Sequence, residues 1–343
     1  MDENLSQLPA LEPPEGITPN FDNPPSIHRT HVIVASIILA LSVVAIAART
    51  FTRTAILRKF DFSDASLLLS LAIMIPYVSL TMNMGNFGQG RHQWNVPLSM
   101  FYQFLKFINI IEILYCPLVY CARYTVIRQI QTIFLQHQHQ SLSNRGVLIL
   151  LWGNAFFYLA LMFSCIFACT PREKIWNPSL EGKCVDSGAI FKASGSLNLI
   201  ADVTILVLPL AALWSLQMSR KQKLKAALIF AIGAFAAVAS TVRLYYSIKL
   251  TQTEDITYAI EPFGYWTEIE YVTVVLTSCC PLFPLLLQHV IQKNKQLSYL
   301  KVTPSQSASA FDRTDRSGHH VINLTENAGV QDIEMNTGFP PPI

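Results

Sequence analysis

Six ionisable side chains interrupt the long apolar stretches of this chain: Lys106, Glu112, Asp202, Arg243, Glu268 and Glu270. Within a bilayer such a group is costly unless paired or hydrated, so it marks an ion pair, a ligand or ion site, or a proton relay. Lys106, Asn109 and Glu112 recur every three residues and share one helical face; Asn198 and Asp202, four apart, share another. At ~1.5 Å per helical residue, Arg243 lies about 7 Å from the outer end of its helix, and Glu268 and Glu270 lie about 6 and 9 Å from that end of the next. Those depths predict an Arg243–Glu270 ion pair. Glu112 and Asp202 fall nearer mid-membrane. With Asn198, these residues are expected to form an inward-facing polar cluster that opens outward. Both a helix-orienting network and a ligand site fit this pattern. Glu112 or Asp202, if buried without a partner, would suit proton coupling.

Other chemistry-bearing residues lie between the apolar stretches. Gly88-Gln89-Gly90-Arg91-His92-Gln93-Trp94 lacks the third glycine and preceding strand of a phosphate loop. Gly88 and Gly90 are expected to make a tight outer turn, with His92 and Trp94 packing at the membrane interface. Cys169 and Cys184 share one outer loop with 14 residues between them, and a disulfide there would stabilise the loop by roughly 3 kcal/mol. Two free thiols at helix ends are the alternative. The other five cysteines read as small apolar packing residues. No zinc spacing, HExxH or nucleophile elbow is present, and the lone His137-x-His139 pair is not a metal site by itself. The expectation is a protein without catalytic residues, metal or cofactor.

These residues need helices to position them. The chain is 51% hydrophobic and 14% charged, against about 25% charged in an average soluble protein. A soluble fold could not cover itself with so little polarity. The net charge of +3 gives no reason to expect a nucleic-acid partner. Seven stretches are each about the ~20 residues needed to span a bilayer as a helix: residues 31–49, 65–84, 98–121, 146–168, 190–214, 226–248 and 264–289. The predicted fold is an all-α seven-transmembrane helix bundle. No internal repeat is visible, which disfavours a repeat-built transporter. Pro209, Pro281 and Pro284 fall inside apolar stretches and predict kinks.

Orientation follows from the loops. The odd-numbered loops hold eleven Lys and Arg, among them Arg49, Arg123 and Arg220, against five in the even-numbered loops. The N-terminus is therefore expected outside and the C-terminus in the cytoplasm, which puts the Asn4-Leu5-Ser6 sequon on the glycosylatable side. Residues 1–30, with six prolines, five acids and no apolar core for a signal peptide, read as a disordered extracellular tail. Residues 31–290 form the transmembrane domain, and residues 291–343 a disordered cytoplasmic tail.

The ordered set of motifs resembles the fungal rhodopsin-domain family of seven-helix integral membrane proteins over roughly residues 30–295. Its carriers are Arg49, Asp64, Gly88, Gly90, His92, Trp94, Glu112 and Tyr115. They continue with Cys169-Thr170-Pro171, Trp176, Gly182-Lys183-Cys184-Val185-Asp186, Asn198, Asp202, Pro209, Leu216, Gly233 and Arg243. Trp266, Ile269, Glu270, Cys280, Pro281 and Pro284 complete the set. The chain departs from the family with Ser63-Asp64 in place of paired acids, and with Arg123-Tyr124-Thr125 in place of Lys-x-Ser. The resemblance implies kinship with receptor-like proteins of surface sensing in filamentous fungi, some of them associated with metabolite gene clusters. The expected protein is thus receptor-like, with an outward-facing polar site, in the plasma membrane. Its expected partners are the lipid bilayer, a small extracellular ligand and a cytosolic G protein. The alternatives are a proton-coupled small-molecule transporter and a membrane scaffold for a metabolite pathway. Retinal is excluded, because a Schiff base needs a lysine in the last helix and none lies between Phe263 and Ile291. G-protein coupling has no motif behind it: Ala122 stands where many such receptors carry the acid of Asp-Arg-Tyr, and no Asn-Pro-x-x-Tyr follows.

Overall fold

A computed structural model describes residues 8–132, 141–214 and 220–302, with side chains described over 8–132, 145–207 and 230–295. The Asn4 sequon, the His137 and His139 pair, the side chain of Pro209 and the tail beyond residue 302 lie outside the described residues. The first compact unit is Met1–Lys293; of the second, Asn294–Ile343, the described part is helical residues 294–302.

Seven helices are long and apolar enough to cross a membrane. They are α1 (His28–Phe51, continued by a π turn at Thr52–Ile56), α2 (Phe62–Asn83), α3 (Leu98–Ile130), α4 (Ser141–Ile166), α5 (Ser187–Trp214), α6 (Arg220–Leu250) and α7 (Ile256–Cys279). A further helix, α8, spans Phe283–Val302. Lipid offers backbone amides no partners, so apolar runs of this length close their hydrogen bonds internally as helices. Large apolar side chains such as Ile149, Trp152 and Phe156 on α4 stay exposed on the outside of the bundle, where hydrocarbon replaces water. Inside, Ala35 of α1, Met74 of α2, Leu118 of α3 and Val275 of α7 form one core. Two-residue strands β1 (Cys169–Thr170) and β2 (Lys183–Cys184) pair antiparallel between α4 and α5. That end of the bundle, with the starts of α1, α3, α5 and α7, is called the disulfide end below.

Three expectations are corrected. First, α3 does not stop at residue 121 but runs 33 residues to Ile130, about 50 Å at 1.5 Å per residue. Arg123 is therefore a helix residue buried in the bundle, 1% exposed, and not a loop cation. Arg49, 2% exposed, likewise leaves the loop inventory. Second, the kink expected at Pro281 and Pro284 takes the form of a 3-10 turn inside a single 40-residue span, Ile256–Lys295, not of a bend in unbroken α-helix. Pro281 lies in a 3-10 turn, Cys280–Leu282, that separates α7 from α8, and Pro284 sits in the first turn of α8, where a missing N–H costs nothing. Third, residues 8–27 are not a free tail. Ala10 N–H donates to Val96 O at 2.9 Å, Leu98 N–H to Leu8 O at 2.9 Å and Ile27 N–H to Gly90 O at 3.0 Å. Asn20 N–H donates to Asn95 Oδ1 at 2.9 Å. The prolines that suggested disorder restrict the backbone of this segment, which lowers the entropy cost of laying it against the α2–α3 loop, where Pro9 and Pro97 form one isolated β-bridge.

Candidate functional site

The polar residues of the bundle interior fall into two clusters, with a cavity beside the first. The first cluster centres on Arg123 of α3. Its Nη2 lies 2.7 Å from Asp202 Oδ1 of α5 and 3.0 Å from Glu270 Oε1 of α7. Its Nη1 donates to Asn198 Oδ1 at 2.9 Å. Arg243 of α6 holds the other oxygen of Glu270, Nε to Oε2 at 2.5 Å, so the expected Arg243–Glu270 pair is formed. Asn198 also accepts from Tyr158 OH of α4 at 2.5 Å and donates through Nδ2 to Tyr115 OH of α3 at 2.9 Å. Ser240 of α6 donates its hydroxyl to Asp202 Oδ2. Two guanidinium groups and two carboxylates thus balance within a shell of phenol, hydroxyl and amide groups, and five helices meet there. Nη2 of Arg123 alone bridges the carboxylates of α5 and α7, and the second arm of the planar guanidinium adds Asn198.

The second cluster joins α1 to α7 at the disulfide end. His28 Nδ1 and His31 Nδ1 each lie 2.7 Å from an oxygen of Glu261, and His31 Nε2 lies 3.3 Å from Glu268 Oε1. His31, Glu261 and Glu268 are fully buried. Both ring nitrogens of His31 face carboxylates, an arrangement that needs a proton on each nitrogen or on one of the acids. Glu268 therefore does not join the Arg243 cluster, as the depth argument expected. Depth fixes level but not azimuth, and Glu268 points to α1 while Glu270, two residues on, points to α3 and α6. Neither His28, His31 nor Glu261 stood out in the sequence, because histidine is uncharged in a charge census and Glu261 precedes the apolar run assigned to the last helix.

A cavity of about 530 Å³ lies at the disulfide end, among α3, α4, α5, α6 and α7. Its walls include Leu105, Phe191 and Phe263, and Arg243, Tyr115 and Tyr77 also line it. Cys169 and Cys184, bonded as expected, and Ile175 of the loop they close also line it. Asn109 and Glu112 face it from α3. Asn109 donates to Cys165 O at 2.9 Å. Lys106, expected on the same face, turns away instead, its ammonium 5.8 Å over the ring of Trp176. It starts close enough to the helix end to reach the aromatic side chain of the α4–α5 loop, and a long cation takes that route out of apolar surroundings.

The glycine motif makes the turn expected of it, with Gly88 at φ 97° and Gly90 at φ 77°. The contacts it positions are more specific than interface packing. His92 stacks between Trp94, 4.3 Å away, and Tyr258 of α7, 4.2 Å away, and its Nδ1 lies 2.6 Å from Asp255 Oδ2. Gly90 donates its N–H to Thr257 O at 2.9 Å. A Cβ on Gly90 would sit 2.7 Å from His28 N and 2.8 Å from Glu261 Oε1, so the motif is what brings the α2–α3 loop against the starts of α1 and α7. At the other end of the bundle, Arg49 Nη2 pairs with Asp64 Oδ1 at 2.8 Å. It also donates to Gln129 Oε1 at 2.5 Å and to the carbonyl of Ser278, so the first two family-like residues of the chain are one buried ion pair. Among the described residues, no group of three or more His, Cys, Asp or Glu has the arrangement of a metal site.

Comparison with known proteins accords with these features. The model of the fungal rhodopsin domain matches residues 48–289. A SAT4 family membrane protein of Emericella nidulans is 30% identical over 272 residues, covering 79% of this chain and 69% of that protein. Fugralins biosynthesis cluster protein 2 of Gibberella zeae is 26% identical over 316 residues, 90% of this chain and 78% of that protein. Polyenoic acids biosynthesis gene cluster protein Ba17b of Metarhizium anisopliae is 22% identical over 278 residues, 77% of this chain and 74% of that protein. No solved structure matches the chain.

Proposed function

This chain belongs to the fungal rhodopsin domain family of membrane proteins, and on that premise we propose that it is a non-enzymatic, receptor-like protein of the plasma membrane that binds a small ligand from the outside. The observation that supports this reading is the cavity of about 530 Å³ under the disulfide loop, a size that suits small-molecule sites. Arg243 lines that cavity and is held by Glu270, which in turn holds Arg123. A ligand touching Arg243 would thereby act on the ion pairs that fix α3, α5, α6 and α7 relative to one another, and differential contact of this kind is what shifts a helix arrangement. The disulfide end is outside in this reading, and a cytosolic partner such as a G protein would read the opposite end.

The test is a stability screen of the purified protein against metabolites. Ligands should raise its unfolding midpoint, and the response should be lost on Glu270→Gln or Asp202→Asn while those proteins remain folded. If no ligand class shifts stability, the receptor reading fails. A scaffold role has one supporting observation, the names of relatives from metabolite biosynthesis clusters. It predicts co-purification with pathway enzymes. A proton-coupled carrier draws support from Glu112, an acid facing the cavity, and predicts pH-dependent flux in proteoliposomes that Glu112→Gln abolishes. Asp202 is a poor candidate for that role because Arg123 and Ser240 hold it.

A further inference from the structure

We propose that the cavity under the disulfide loop takes an organic monocation, a protonated amine on a largely apolar body, with Glu112 as its counter-ion. This rests on the reading of the cavity as a ligand site. Most of the charges around it are already matched. Arg243 is held by Glu270, and behind it Arg123 by Asp202. Among the loop residues on the wall, Lys174 donates to Gly182 O and Asp186 accepts from the N–H groups of Gly188 and Ala189 at the start of α5, and these two are opposite in sign. Glu112 is different: it faces the cavity from α3 and has no hydrogen bond or ion pair from its carboxylate among the described residues. Lys106, the cation nearest in sequence on that helix, is engaged over Trp176. The wall therefore carries one carboxyl group without a partner, set among Leu105, Ile108, Phe191 and Phe263.

That arrangement discriminates between ligand classes. An anion attracted to Arg243 would meet a guanidinium already neutralised by Glu270 and would face Glu112 as well. A neutral ligand would displace water and leave the Glu112 carboxyl as unpartnered as before, so it gains nothing from that group. An ammonium supplies a counter-charge, and the low local dielectric strengthens the pair. The rest of the ligand is held by shape and apolar contact, as is usual when a pocket has few convergent polar groups.

The test uses the full-length protein in detergent and amines matched to isosteric controls: tryptamine against tryptophol and indole-3-propionate, and 2-phenylethylamine against 2-phenylethanol and 3-phenylpropionate. At saturating concentration the amines should raise the unfolding midpoint of the unchanged protein by about 5 °C, and the controls should not. Glu112→Gln should unfold at or near the starting temperature without ligand, because the amide keeps the size of a carboxyl that no described residue holds, and should lose the amine response. Glu112→Asp should keep part of it. Equal shifts from amines and alcohols, retention of the amine response in Glu112→Gln, or no shift from any amine would each overturn the amine assignment. A response to carboxylates or alcohols alone would overturn it while leaving the cavity as a ligand site; silence across all classes would overturn both.

Discussion

Arg123 joins α5 and α7 through a single side chain, and its removal strands groups on both. Arg123→Met leaves Asp202 without its ion-pair partner and Asn198 without one donor. Breaking a buried pair in this way costs about 3–5 kcal/mol, readable as a fall in the unfolding midpoint of the purified protein. Arg123→Lys should lie between the wild type and Arg123→Met, since an ammonium keeps the charge beside the two carboxylates that Nη2 bridges but leaves Asn198 Oδ1 without the donor that Nη1 supplies. In the α1–α7 cluster, Glu261 accepts from two imidazoles at 2.7 Å, while Glu268 meets one at 3.3 Å and its Oε2 has no hydrogen bond. Glu261→Gln should therefore destabilise more than Glu268→Gln, and the reverse order in thermal unfolding would contradict this assignment of partners. The sequence showed which residues lie at membrane depth. It did not show which way each one points, and Glu268 and Lys106 were misplaced for that reason alone. Arg123 was hidden because it follows the most apolar part of α3 and reads as the first residue of a loop.

The helices themselves were legible, since length and apolarity suffice to place a membrane span. Their ends were less so, as α3 shows by running nine residues past the expected stop at residue 121. Connections carry much of the specificity at the disulfide end. Gly90→Ala is expected to be poorly tolerated: the backbone is at φ 77° and the new methyl would press on His28 N and Glu261 Oε1. Low abundance of folded protein in size-exclusion chromatography is the expected outcome, and a normal yield would mean the turn can shift. Replacing Cys169 and Cys184 together by serine frees a loop that lines the cavity. The lost constraint amounts to about 3 kcal/mol on the loop-entropy model. Hydrogen exchange should then rise first in residues 169–184, and ligand responses should weaken before the helices loosen. The disulfide was readable from spacing because two cysteines shared one short loop. The docking of residues 8–27 on the α2–α3 loop was not, because proline content alone does not distinguish a free chain from one laid on a partner.

Taken as a whole, the molecule is oriented by charge and closed by its ends. With Arg49 and Arg123 buried in ion pairs, nine loop cations remain on the side expected in the cytoplasm against five opposite, so the expected orientation is unchanged. A glycosylation acceptor inserted between residues 12 and 20 should be modified, and a tag on the tail beyond residue 302 should be reached by protease only after the cytosolic face is opened. The opposite pattern would reverse the orientation. Closure has a consequence for how the protein is made. His31 emerges from the ribosome 230 residues before its partner Glu261, an interval of roughly 10–50 s at usual elongation rates. During that time the first span holds an imidazole whose carboxylate partners have yet to be made. A newly made chain thus differs from a finished one in its first span, where His31 gains its carboxylate partners only when α7 arrives.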